Sequence, residues 1–281
     1  MGYLLFVVYF LLLSWLLTRI RFIKNAGLPP KIIIPLFFIK VVAGVASGWM
    51  VRNDIHSDTW AFHQLGVEEY HLLLTHPTEY FTNLFHSGYK NAYDGLLEVH
   101  NSYWNDLKTN LIVKMISVLE LFSGGRYYVN VVLYNFILFF GCIALFRVFS
   151  QVYKDKTRLL IVTCFLLPST LLFSSTIHKD GIILMAISFI IFSFFYALHG
   201  SGFTKSKIVT IVLSLLMIFL LRSYVFMALL PALAAWVIAY KKKYNPVIVF
   251  VSVYVFTIFI FFNLSYLIDR KSTRLNSSHR H

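Results

Sequence analysis

Four short stretches place ionisable or hydrogen-bonding side chains beside long apolar runs. Asp54 and Asp58 lie in Val51-Arg52-Asn53-Asp54-Ile55-His56-Ser57-Asp58-Thr59-Trp60, and Tyr103-Trp104-Asn105-Asp106 falls in the most polar part of the chain. His178-Lys179-Asp180-Gly181 separates two apolar runs, and Arg222-Ser223 separates two more. A carboxylate within reach of a hydroxyl accepts its proton as that oxygen attacks. Lysine and arginine neutralise a phosphate. The free N–H groups of a helix start such as Gly181-Ile182-Ile183, next to Lys179, add to that attraction. An aromatic ring such as Trp104, with Asp106 close by, can stack on the face of a sugar.

Each of these residues also has a structural explanation. Asp180 can be the N-cap of the following helix, Lys179 can extend to lipid headgroups, and Arg222 can pair with a structural carboxylate. Asp54 and Asp58 can be solvated loop acids, and aromatic belts at membrane interfaces account for Tyr103 and Trp104. Acids and bases converging from segments far apart in sequence favour the functional reading. Six histidines, His56, His63, His71, His76, His86 and His100, fall between residues 51 and 128, but their spacing matches no zinc pattern and reads as surface or core histidine.

The elements that must position these residues are membrane helices. Of 281 residues 58% are hydrophobic and only 13% charged, with a mean hydropathy of +0.72, which excludes an ordinary soluble domain. Cys142 and Cys164 both sit inside apolar runs, so neither a disulfide framework nor a metal cluster is indicated. The segment 269 to 281 breaks abruptly from the apolar pattern and resembles the translation of a sequencing-library adapter. It is set aside as artefactual, which implies a reading frame that continued past Ile268.

Eight apolar runs are long enough to cross a bilayer, with burial or tilt for the shorter ones: 2 to 18, 32 to 50, 129 to 148, 159 to 177, 181 to 198, 206 to 221, 224 to 240 and 246 to 267. The predicted fold is therefore an all-α polytopic membrane protein with one large outer loop, 51 to 128. Segments 19 to 31, 147 to 158, 199 to 207 and 241 to 243 hold 13 Lys/Arg and a single acid, Asp155, whereas 51 to 128 holds five Lys/Arg and nine acids. By the positive-inside rule the first group is cytoplasmic and the long loop and N-terminus are outside, in a bacterial-type cytoplasmic membrane. Topology thus accounts for the formal charge of +13, and nucleic acid is dropped as a partner.

Within the outer loop, Thr59 to Leu74 and 109 to 122 carry helical apolar spacing, and Gly124-Gly125 marks a turn into the third span. The apolar run 208 to 221 spans about 21 Å as a helix, short of a hydrocarbon core of about 30 Å, so Arg222 is expected below the outer surface. A cation there costs at least about 2.5 kcal/mol on insertion scales and calls for an anionic partner or a cavity.

A short loop, a span, a large outer loop with acids at its start and many short-hairpin spans resemble the GT-C class of integral-membrane glycosyltransferases, including the protein O-mannosyltransferase-like and lipopolysaccharide-modifying groups. Asp58 in Ser57-Asp58-Thr59-Trp60, Pro168-Ser169 and His178-Lys179-Asp180 carry the resemblance over most of 32 to 268. It implies a sugar moved from a polyprenyl-phosphate donor to a glycan, lipid or protein acceptor in cell-envelope biosynthesis, with inversion. Asp58 is then the first choice of base and Asp54 the second. Lys179, Arg222, His178 and Asp180 serve the donor phosphate, and Trp104 and Asp106 serve the acceptor. The chain departs from the commonest pattern in an extra span before the acid-bearing loop and in lacking an adjacent Asp-Asp or Asp-Glu pair. Some members of the class use a divalent metal and others none, and the sequence leaves that open.

Two other classes fit the composition. A transporter or flippase for a lipid-linked or anionic solute would place polar groups near the midplane beside interrupted helices, where Lys40 is the one candidate charge. A non-catalytic polysaccharide-assembly subunit would leave the acids dispensable.

Overall fold

The computed structural model describes residues 2–54, 57–85, 102–200 and 202–278, with the backbone alone over 264–278. Among the described residues the chain is α-helical, without strands. Proline sets several boundaries, because a residue without an N–H and with a fixed φ is tolerated in the first helical turn. Pro30 opens α3 (Pro30–Met50), after α1 (Gly2–Arg19) and the short α2 (Arg21–Lys24). Pro77 opens α5 (Pro77–Thr82), which follows α4 (Asp58–Thr75). Gly124, at φ 61° and ψ 45°, closes α6 (Tyr103–Ser123), and with Gly125 at φ 76° it supplies the left-handed turn into α7 (Tyr127–Val152) that other residues adopt only with strain.

The span expected over 159 to 177 is broken. It consists of α8 (Thr157–Ile161), a π turn at Val162–Leu166 and α9 (Pro168–Ser175), bent by 42°. Pro168 cannot donate to the preceding turn and forces Leu167 into extended backbone, φ −60° and ψ 115°, which ends the first piece. Then follow α10 (Lys179–Leu198), α11 (Lys205–Leu221), α12 (Ser223–Lys242) and α13 (Pro246–Ser278). Six helices are long and apolar enough to cross a membrane alone, and the bent pair makes a seventh span. The 17 residues of α11, about 26 Å, complete the eight runs read from the sequence. The chain is a multi-pass membrane protein.

Helix α7 is the axis, with 78% of its most apolar stretch buried. It packs against α1, α3, α6, α9 and α10, while α11, α12 and α13 extend the bundle sideways from α10. The peripheral helices α1, α12 and α13 expose apolar side chains over most of their surface, as lipid-facing helices do. At one end α4 lies along α6, joined by the ion pair between Lys114 and Glu69, with the Lys114 ammonium 3.5 Å over the Tyr80 ring. At the other end Arg147 Nη1 donates to Phe22 O at 3.4 Å, so the basic segments 19 to 31 and 147 to 158 lie together.

Candidate functional site

Three segments far apart in sequence meet beneath the α4 and α6 pair. The turn before α10 is held below the end of α7 by two side chains: Asn135 Nδ2 donates to Ser175 O at 2.7 Å, and the Tyr134 hydroxyl donates to His178 O. Asn135 lies eight residues into α7, about 12 Å along its axis, so the turn is recessed rather than raised. Gly44 and Gly181 make this approach possible. A Cβ on Gly44 would stand 2.8 Å from Val131 Cγ1 and collide with Ser175 O, and one on Gly181 would stand 2.5 Å from Leu138 Cδ1 and 2.7 Å from Ser174 O.

On this platform the charged residues form a chain. Asp58, in the first turn of α4, places Oδ2 3.4 Å from both Lys179 Nζ and His178 Nε2. The other ring nitrogen of His178 lies 3.1 Å from Asp180 Oδ2, so the imidazole bridges two carboxylates. Asp180 Oδ1 accepts from Arg222 Nη2 at 2.7 Å, and Arg222 also donates to the Tyr224 hydroxyl. The Phe62 ring, one turn along α4 from Asp58, lies 5.9 Å below the Lys179 ammonium.

Asp58, His178, Lys179, Asp180 and Arg222, all read as candidates from the sequence, are thus one connected set. Arg222 fulfils the expectation of a cation that needs an anionic partner, since α11 is too short to carry it clear of the bundle. One detail differs. Asp180 is not the N-cap: α10 begins at Lys179, so His178 holds the N-cap position. The Asp180 carboxylate is drawn instead to Arg222 and His178, because ion pairs there outweigh a neutral cap.

Asp54 stays in the turn after α3 and contributes to none of these ion pairs. Asp106 stands in the first turn of α6, where a carboxylate favours the helix start, and is likewise outside the connected set. Trp104 does reach the same corner: its ring packs 5.1 Å from that of Phe219, three residues before Arg222. His56, His86 and His100 lie outside the described residues. Among the described residues no group of three or more His, Cys, Asp or Glu is arranged to hold a metal ion, and no chemical step below is routed through one.

No family model, curated protein or solved structure matches the chain.

Two participants escaped the sequence reading. Partial burial, and after it the nearby Lys179 charge, hold the ammonium of Lys108 in α6 below the ordinary lysine range. Its sequence signal was its position four residues after Trp104, on the same helix face. Tyr134 lies inside an apolar run, where nothing distinguished it from core. Beside His178 a narrow apolar crevice opens between α6, α7 and α10, lined by Ile112, Met115, Leu119, Leu138 and Ile182.

Proposed function

We propose that the chain is a membrane glycosyltransferase that moves a sugar from a polyprenyl-phosphate donor to an acceptor hydroxyl outside the cytoplasm. The observation that carries this reading is the connected set Asp58, Lys179, His178, Asp180 and Arg222 beside an apolar crevice. Cations for a phosphate and a carboxylate for a proton stand within one corner of the bundle, next to a small apolar crevice. The N-terminus and the 51 to 128 loop face outward from the cytoplasmic membrane in this reading, in accord with the basic loops gathered at the opposite end.

Asp58 and Asp180 pair with the cations Lys179 and Arg222. A donor phosphate takes their place on Lys179, Arg222 and Lys108, which frees Asp58 to face the acceptor. The acceptor oxygen then attacks the anomeric carbon, its proton passes to Asp58, and the bond from that carbon to the phosphate oxygen breaks. The phosphate leaves on its lipid, its growing charge met by Lys179 and Arg222. A single displacement inverts the anomeric carbon.

In nanodiscs with a radiolabelled polyprenyl-phosphate sugar, Asp58→Asn is expected to lower transfer by about 10²- to 10⁴-fold at normal expression. Transfer at the parental rate by that variant removes the proposal.

One observation favours a second reading, a carrier for an anionic solute. Lys40, halfway along α3 and buried, donates to Ser174 Oγ at 2.9 Å and Ser175 Oγ at 3.2 Å at the end of the broken span. An intramembrane cation beside an interrupted helix is the arrangement of a translocation path. Uptake into sealed vesicles that Lys40→Met abolishes and Asp58→Asn spares would select it over the transferase.

A further inference from the structure

A second and larger cavity, of about 750 Å³, opens on the other side of α4 from the charged set. Its size lies in the range of small-molecule sites, about 300 to 1,000 Å³. One wall is Trp60 stacked on Tyr127, with ring centroids 4.1 Å apart, and the Trp60 indole N–H donates to Gly48 O at 2.9 Å. The lower wall is apolar, from Phe6 and Val45. Three cationic or proton-bearing groups open onto it: Arg52, Arg126 and His63.

Each of the three is placed differently. Arg126 is anchored, its Nη1 donating to Ser123 O at 3.0 Å. His63 lies against a buried acid. Its Nδ1 stands 2.8 Å from Oε1 of Glu120, a carboxylate with no exposed surface that also accepts from Ser123 Oγ at 2.6 Å and from Asn130 Nδ2. That leaves Nε2 as the ring nitrogen not engaged by Glu120. The Arg52 side chain has no hydrogen-bond or ion-pair partner among the described residues. Among the described residues no carboxylate lines the cavity. The first turn of α7, whose leading N–H groups have no partner within the helix, faces the same space through Tyr127 and Tyr128.

Gly2 and Tyr3 of α1 line the cavity, and the same helix exposes Tyr3, Leu4, Val7 and Leu11 on the outside of the bundle. A molecule lying in the surrounding lipid therefore reaches the cavity sideways, with its tail along α1 and its head among the arginines. We infer that this cavity is a binding site for an anionic amphiphile: a phosphate headgroup held by Arg52 and Arg126, with an apolar tail against Phe6 and Val45. It is separate from the transfer site, because α4 divides the two. Asp58 and Phe62 face His178 and Lys179, while Trp60 and His63 face the cavity.

The test is a titration of the detergent-purified full chain, followed by tryptophan fluorescence. Dioctanoyl phosphatidylglycerol is expected to bind saturably, and dioctanoylglycerol and inorganic phosphate at least about tenfold more weakly. Arg52→Gln, an exposed position whose loss leaves packing intact, weakens phosphatidylglycerol by about tenfold, and Arg126→Gln by at least as much. Lys179→Met, at the transfer site, leaves this affinity unchanged, so failure of the transferase reading does not touch this one. Farnesyl phosphate, titrated into the Lys179→Met chain so that the transfer site does not contribute and counted only where Arg52→Gln weakens it, separates the two sources of the same chemistry. Tighter binding than phosphatidylglycerol assigns the site to lipid-phosphate intermediates, and weaker binding assigns it to bilayer headgroups. Equal affinity of dioctanoylglycerol, equal affinity of inorganic phosphate, or parental binding by Arg52→Gln overturns the inference.

Discussion

Arg222 has one guanidinium and two partners, Asp180 and Tyr224, and its charge is placed to meet both the single charge of the donor phosphodiester and the second charge that grows as the lipid phosphate leaves. Replacing it with Gln removes a charge that holds donor before and during transfer. The expected result is a kcat lowered about tenfold or more together with a raised donor KM. A kcat loss with unchanged KM in steady-state transfer assays would place Arg222 on the leaving group alone. Lys108 yields a prediction of two signs. Its ammonium is held below the ordinary lysine value of 10.5 by burial first and by the Lys179 charge second. A lysine depressed in the folded state takes up fewer protons than in the unfolded chain. Stability therefore rises with pH between the depressed value and 10.5, an effect that solvent screening keeps small at a partly exposed site. Lys108→Met is expected to raise the melting temperature of the ligand-free protein at neutral pH, flatten that alkaline rise and weaken donor binding. Thermal unfolding with and without donor reads both effects. A residue that destabilises the free protein and strengthens donor binding is placed for the ligand.

At the scale of elements, the turn between α9 and α10 decides whether the site exists. It is clamped by Lys40, Asn135 and Tyr134 and admitted by the missing side chains of Gly44 and Gly181. Gly181→Ala drives a methyl group into Leu138 and the Ser174 carbonyl. Overpacking of this kind costs about 1 to 3 kcal/mol. The expected outcome is a lowered melting temperature in detergent and reduced transfer, although the new methyl touches none of the five charged residues. Full activity in Gly181→Ala would show that the turn can sit higher without loss and that its recess is incidental. The break at Pro168 was half legible: a proline inside an apolar run announces a disturbance. Its result, a π turn and a 42° bend that ends beside Lys40, depends on how α3 and α7 receive the two pieces.

At the scale of the whole molecule, the loop charges and the packing agree on which ends belong together. Single cysteines at Lys154 and Lys242, in a chain whose Cys142 and Cys164 are replaced by Ser, are expected to react from one side of oriented vesicles, and cysteines at Thr75 and Glu79 from the other. Labelling of Glu79 and Lys154 from the same side would dismantle the topology and with it the extracytoplasmic acceptor. The all-α, multi-pass class was legible in the sequence because it depends on local sums. An apolar run of sufficient length cannot leave its backbone unpaired in lipid, and loop charge acts before any tertiary contact forms. The five charged residues were legible for a related reason, since an ionisable group beside an apolar run is improbable without a partner. Their partners were not, because pairing Asp58 with Lys179 spans 121 positions and depends on how deep the α9 to α10 turn is seated. For the same reason His63 read as an ordinary core or surface histidine. Only the packing of α4 against α6 and α7 sets it between a buried Glu120 and an open cavity, since contacts so distant along the chain leave no periodicity to read.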